Sequence, residues 1–295
     1  MYCEFFGFNE KPFTITPNPH FLFLSETHRE AFAHLLYGID SHAGFIALTG
    51  EVGTGKTTVL RTLFSQLDPE KYRTALIFNP CLSPPQLLAS ICRELGVESQ
   101  EADVPELLDD LNRYLVEQNS AGRTVLLVID EAQNLNPAVL EQIRLISNLE
   151  TERDKLIQIV LAGQPELEEM LARHDLRQLS QRITVRCRLA PLGPHDTADY
   201  IAHRLRVSGS RIPGLFSKGA VKRIYRFSRG TPRLINVACE QALVMAWTRE
   251  SLIVTPSIAA QIIARINDET HRGSGRQGLW RRVGRWLFAG ERRTT

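Results

Sequence analysis

Nowhere in the 295 residues do eighteen apolar residues run together, so the sequence offers no obvious membrane-spanning helix. The N-terminus lacks a basic stretch followed by an apolar one, which removes the case for a secretory signal peptide. A cytoplasmic protein is therefore expected. Cysteine is sparse: Cys3, Cys81, Cys92, Cys187 and Cys239 are odd in number and contain no Cys-x-x-Cys pair, so neither a disulfide framework nor a zinc site is suggested. They read as buried, reduced thiols. Net charge is also small, at +2, but it is unevenly spread. From His271 onward seven arginines accompany one acid, Glu291, which leaves the body mildly acidic and the tail basic. A hydrophobic fraction of 43% and a charged fraction of 23% are ordinary for globular chains.

What is present begins with Gly50-Glu51-Val52-Gly53-Thr54-Gly55-Lys56-Thr57, which fits G-x-x-x-x-G-K-[ST]. A phosphate cradle needs backbone N–H groups turned inward, and glycine allows this by visiting positive φ at little steric cost. Lys56 is placed to reach the β- and γ-phosphates of ATP, and the Thr57 hydroxyl to ligate Mg²⁺. The apolar run Phe45 to Leu48 before the loop suits a buried strand. Thr58 to Leu67 after it reads as a helix whose N-terminus faces the phosphates.

Around this loop the chain alternates strand and helix. Strands are expected at Ala75 to Phe78, Val125 to Ile129, Leu156 to Leu161 and Ile183 to Leu189, the last edge-like because apolar and basic residues alternate in it. Helices are expected at Ser25 to Gly38 with Ser25 as N-cap, near Gln86 to Leu95, over Leu107 to Gln118, and after Pro137. Asn79-Pro80 and Pro84-Pro85 read as breakers. This pattern predicts an α/β protein: a phosphate-loop NTPase with a parallel five-stranded sheet flanked by helices. From residue 193 the pattern is helical only, so the predicted divisions are an arm (1–24), the core (25–192), a helical domain (193–268) and a basic linker and tail (269–295). The arm, dense in Phe and Pro, reads as extended, with its aromatics packed on the core domain it precedes.

Asp130 and Glu131 close an all-apolar strand, which is hard to explain as solvated surface. Asp130 can hold Mg²⁺ opposite Thr57, and Glu131 can polarise a water for attack on the γ-phosphate. Gln164 follows the fourth strand, either as a group touching the γ-phosphate or as a turn residue before Pro165. Arg177 and Arg182 precede the fifth strand, as surface charge or as an arginine donated to a neighbouring subunit. Pro232 in Gly230-Thr231-Pro232-Arg233 suits a first helical turn, with Arg233 either aimed at nucleotide or exposed.

Several blocks together resemble one family. They are Phe5-Phe6-Gly7-Phe8, Lys11-Pro12-Phe13, Thr16-Pro17-Asn18-Pro19, the 50–57 loop, Asp130-Glu131-Ala132-Gln133, Ala162-Gly163-Gln164-Pro165-Glu166-Leu167, Leu176 to Ile183, and Gly230-Thr231-Pro232-Arg233-Leu234-Ile235-Asn236. These look like the ExeA/GspA-type AAA+ ATPases of general secretion, MSHA-type pilus and exosortase loci, over residues 1 to about 268. The resemblance implies an AAA+ core with a helical lid, nucleotide bound between them, and assembly into a homo-oligomer. It implies the sensor-1 position for Gln164, the arginine-finger position for Arg182 with Arg177 as a second, and the sensor-2 position for Arg233. Gly50, Glu51, Val52, Gly53, Thr54, Gly55, Lys56, Thr57 and Thr58 then form the nucleotide site with Arg233, and Thr57 and Asp130 the metal site. Larger members continue into a membrane helix and a peptidoglycan-binding domain that have no counterpart in these residues, so cell-wall binding is not carried over.

The tail from Leu279 to Phe288 sets Leu, Trp, Val and Phe against Arg281, Arg282 and Arg285 in an amphipathic pattern. It suits an anionic membrane surface, a partner, a nucleic-acid contact or a solubilising role. The leading expectation is an ATPase that powers or gates assembly of an envelope secretion, pilus or exopolysaccharide/exosortase system through an inner-membrane partner, the protein itself being cytoplasmic or peripheral at that membrane. The alternatives are a DNA-associated AAA+ regulator of the TniB/TnsC type, disfavoured by the mildly acidic body, and a nucleotide-gated scaffold, disfavoured by Glu131.

Overall fold

The computed structural model describes residues 2–16, 18–78, 82–98, 103–150 and 155–273. The amphipathic segment expected at 279–288 lies outside them. Among the described residues no helix is long and apolar enough to cross a membrane. The chain divides into two compact units, residues 17–191 and residues 1–16 with 192–295.

The first unit is built on five parallel strands: β1 (Phe45–Gly50), β2 (Tyr72–Ile77), β3 (Thr124–Ile129), β4 (Ile157–Gly163) and β5 (Ile183–Leu189), in the order β2-β3-β4-β1-β5. Alternation along β3 explains why Val125 to Ile129 are all apolar. Val125, Leu127 and Ile129 face one core, and Leu126 and Val128 the other. Each such burial contributes roughly 1.5–3 kcal/mol. On the first face pack α4 (Pro84–Leu95), α5 (Val104–Ser120) and α6 (Pro137–Ile146), through residues such as Leu88, Leu111 and Leu140. On the second pack α2 (Glu26–Asp40) and α3 (Lys56–Gln66), through Leu35, Ile39, Leu60 and Leu63. β2 and β5 are the edges, which accounts for the alternating exposure of β5. β2 starts three residues before the expected apolar run, because an edge strand tolerates Tyr72, Arg73 and Thr74.

Pro84 and Pro85, expected as breakers, instead begin α4. A helix's first turn has no partner for its N–H groups, so proline costs little there. The Gln86 side chain accepts from Ser83 N–H at 2.9 Å, completing the start.

Two short helices, α7 (Glu166–Leu171) and α8 (Arg177–Arg182), lie between β4 and β5. The second unit holds α9 (Pro194–Val207), α10 (Lys218–Ser228), α11 (Pro232–Thr248) and α12 (Pro256–Gly273). Gly230 is required at the turn into α11. Its φ is +78°, and an added Cβ would lie 1.8 Å from the Leu192 carbonyl oxygen. Leu192 N–H in turn donates to Gly230 O at 2.9 Å.

The N-terminal arm departs from expectation. Residues 1–16 belong to the helical unit, not to the core that follows them in sequence, and Tyr2–Phe6 forms a helix, α1. The cause is a set of buried polar anchors. Arg204 on α9 donates to Pro12 O at 2.5 Å, to Thr14 O at 3.2 Å and to the Tyr200 hydroxyl at 3.0 Å. Asn9 N–H donates to Ser208 O at 2.8 Å, and the Tyr2 hydroxyl to Glu240 at 2.7 Å. Phe13 meets Phe216 edge-on, ring centroids 5.8 Å apart. Phe and Pro density identified a buried segment; the partner was set by Arg204.

Candidate functional site

The strand order brings three C-terminal strand ends side by side. β4 lies between β1 and β3, so Gly163-Gln164 at its exit falls between the Gly50 loop and Asp130-Glu131. Ligands of open parallel sheets bind at such an edge, where strand order reverses.

The loop leaves β1 with almost no space beside it: a Cβ on Gly50 would stand 2.7 Å from Leu189 O. Gly53 and Gly55 take φ of +81° and +105°. Thr54 N–H and its hydroxyl both bond Glu51 O, at 3.2 and 2.9 Å. The buried Lys56 ammonium donates to Gly50 O at 2.6 Å and to Glu51 O at 3.2 Å. Burial pushes its pKa down, opposed by the charges of Glu131 and Asp130. The Thr57 hydroxyl donates to Asp130 Oδ2 at 2.8 Å. Burial raises the Asp130 pKa, opposed by that bond and by one from Glu131 N–H at 2.9 Å.

Glu131 sits in the left-handed region, φ +55°, an uncommon conformation for a side-chain-bearing residue. Its carboxylate accepts from Gln133 Nε2 at 2.6 Å and from Gln164 Nε2 at 3.2 Å. Gln133 Oε1 accepts from Gln164 N–H at 3.0 Å, so one amide joins the ends of β3 and β4. A Cβ on Gly163 would come within 2.8 Å of that oxygen, which keeps this position small.

Two contributors went unrecognised in the sequence. Gln133 belongs to the Asp-Glu-Ala-Gln block, but a lone amide after a strand has no spacing signature. Nε2 of the buried His28 donates to Thr54 O at 3.0 Å, and Nδ1, thereby an acceptor, takes the Ser25 hydroxyl at 2.6 Å. This ties the start of α2 to the loop, with no pattern in the sequence to announce it.

The structure brings Lys56, Thr57, Asp130, Glu131 and Gln164 together, with Gly50 to Thr58 around them. It does not bring Arg182 there. Arg182 immediately precedes Ile183, which pairs with Phe45, while Leu189 pairs with Gly50. Arg182 thus lies at the opposite end of the strands, roughly 20 Å from the loop at about 3.3 Å per residue. Its guanidinium donates to Ser147 Oγ at 3.0 Å and to Asn148. Arg177 is exposed at the start of the short helix Arg177–Arg182. Arg233 belongs to the other unit, in the first turn of α11.

The residues fit a Mg²⁺-nucleotide. The hydroxyl of Thr57 and the carboxylate of Asp130 already face each other, Lys56 is held at the loop, and the glycine backbone leaves amides free to turn inward.

An AAA domain family matches residues 39–171. Together with the sheet order and the helices that follow it, this makes the chain a phosphate-loop protein of the AAA type. Within that class its sequence is similar to the ExeA/GspA type. General secretion pathway protein A of Aeromonas hydrophila is 46% identical over 283 residues, covering 95% of this chain and 51% of that protein. The chain therefore spans about half the length of this relative. Solved structures share the fold at lower identity. Cdc6p of Pyrobaculum aerophilum has a TM-score of 0.65 at 21% identity, covering 82% of this chain and 69% of that one. The Aeropyrum pernix ORC2 protein, solved in ADPNP-ADP complexes, has 0.62 at 17%, covering 84% and 72%. The RuvB Holliday junction branch migration motor of Thermotoga maritima has 0.56 at 17%, covering 83% and 70%.

Proposed function

We propose that the chain binds ATP with Mg²⁺ and hydrolyses it. The observation that carries this reading is the Thr57–Asp130 bond of 2.8 Å beside a Lys56 folded onto the Gly50 carbonyl. In this reading the loop amides cradle the phosphates, and Lys56 leaves the Gly50 and Glu51 carbonyls for phosphate oxygens. Thr57 and Asp130 would hold the metal ion, which would supply neutralising charge to the phosphates. Glu131 accepts the proton of the attacking water, and the amides of Gln133 and Gln164 hold its carboxylate in place. Gln164 also takes the sensor-1 role, and Arg233 the sensor-2 role from the helical unit.

Arg182 acts on a neighbouring copy. The distance to its own loop supports this, since the residue lies at the far end of the sheet. The active form is then a homo-oligomer whose sites are completed between subunits. Turnover powers or gates assembly of an envelope system, secretion being favoured over pilus and exosortase machines by the 46% identity to general secretion pathway protein A. That identity also favours this reading over a DNA-associated regulator. The protein works at the cytoplasmic side, through an inner-membrane partner, with 279–288 as a peripheral membrane contact.

The test is Lys56→Ala. Binding of a fluorescent ATP analogue and the ATP-dependent rise in melting temperature are both expected to disappear. Retention of both at wild-type level contradicts the assignment.

A further inference from the structure

The small net charge of the chain conceals a stretch of one sign. The forty residues from Tyr200 to Cys239 hold nine lysines or arginines and no aspartate or glutamate. The fold turns part of this stretch into a groove. α9, α10 and the 208–217 connection enclose about 750 Å³ within the helical unit. Its floor is apolar, formed by Ile201, Leu205, Val221 and Tyr225 among others. Arg206, Arg211, Lys218 and Lys222 stand at its rim, and no lining residue is acidic. None of these four cations forms an ion pair among the described residues. On its other side α10 borders a second groove of about 590 Å³, where Phe227 and Ile263 lie beside Arg223, Arg226 and Arg229. α10 is therefore a basic ridge between two apolar channels.

Two anionic occupants are conceivable for a basic face. Phosphate backbones are held by cations and hydrogen-bond donors and gain nothing from an apolar floor. An amphipathic helix needs both features: an apolar stripe at i, i+3, i+4 and i+7 for the floor, and flanking charges opposite to the rim. We propose that the groove between α9 and α10 docks an acidic amphipathic helix from a protein partner. Charge complementarity selects the sign. The basic segment at 279–288, with Arg281, Arg282 and Arg285, would meet like charge there, so this chain's own tail is not the occupant. Docking does not depend on nucleotide turnover.

The test is a display selection of about 14-residue peptides against the full chain, followed by fluorescence anisotropy with the selected peptides at physiological salt. The expected consensus carries acids beside apolar residues at helical spacing. Lys218→Glu combined with Lys222→Glu is expected to weaken binding at least tenfold. Ala202→Glu, which sets a carboxylate in the groove from an exposed position, should do the same. Lys71→Glu, on the other unit, should leave affinity unchanged, and circular dichroism verifies that each variant is folded. A selection without acidic consensus, or a consensus peptide indifferent to both groove variants, overturns the proposal. Duplex DNA that displaces the peptide and depends on the same lysines also overturns it, in favour of a nucleic-acid surface.

Discussion

Thr57 and Asp130, seventy-three residues apart in sequence, are joined by a 2.8 Å hydrogen bond across the end of the sheet. Both oxygens are of the hard type that Mg²⁺ takes. Asp130→Asn keeps the shape and the bond while removing the charge. The Mg²⁺ concentration for half-maximal ATP turnover is expected to rise by about tenfold or more, the loss seen even for outer-shell partners of bound metals. A magnesium titration of steady-state hydrolysis checks it, and an unchanged midpoint removes Asp130 from the metal site.

Arg182 cannot serve the loop of its own chain from the opposite end of β5, which makes complementation between defective subunits possible. Arg182→Ala and Glu131→Gln are each expected to lose most activity alone. Mixed, the Arg182→Ala subunits retain an intact loop and receive an arginine from their neighbours, so activity should recover to well above the sum of the two. Activity equal to the sum excludes donation between copies.

How much of this was legible beforehand differs by residue. Gly50 to Thr57 and Asp130 were readable because local spacing dictates their chemistry: glycines at fixed offsets, and an acid ending an apolar strand. The position of Arg182 needed the register of β5 on β1, which no local pattern encodes. Gln133 and His28 act through single hydrogen bonds to residues brought near by the fold, so nothing in their neighbours flags them. The arm shows a different failure. Its Phe residues signalled burial correctly, but burial is non-directional, and Arg204, some 190 positions away, determined which unit received it. Pro84-Pro85 misled because proline both ends helices and begins them.

Tyr2 and Glu240 supply a pH dependence. Burial raises the Glu240 pKa above 4.5, more than the Tyr2 hydrogen bond lowers it. A raised folded-state pKa favours folding fully below the unfolded value and loses that advantage as pH climbs through the folded one. The helical unit is therefore expected to lose stability as pH rises from about 4.5 toward neutrality. Glu240→Gln, which keeps an acceptor for Tyr2, should flatten that fall and leave the most acidic end unchanged. Thermal melts across pH read the difference; parallel curves for the two proteins rule out Glu240 as the source.

The most direct measurement is ATP turnover by Glu131→Gln, made alongside ATP binding. A general base in this position typically contributes 10²–10⁴-fold, so hydrolysis is expected to fall by at least about a hundredfold. Binding of ATP should persist, because the loop, Lys56, Thr57 and Asp130 are intact. Turnover within a few-fold of wild type, with binding retained, would contradict the role given to Glu131 and with it the reading of this site as a hydrolytic one.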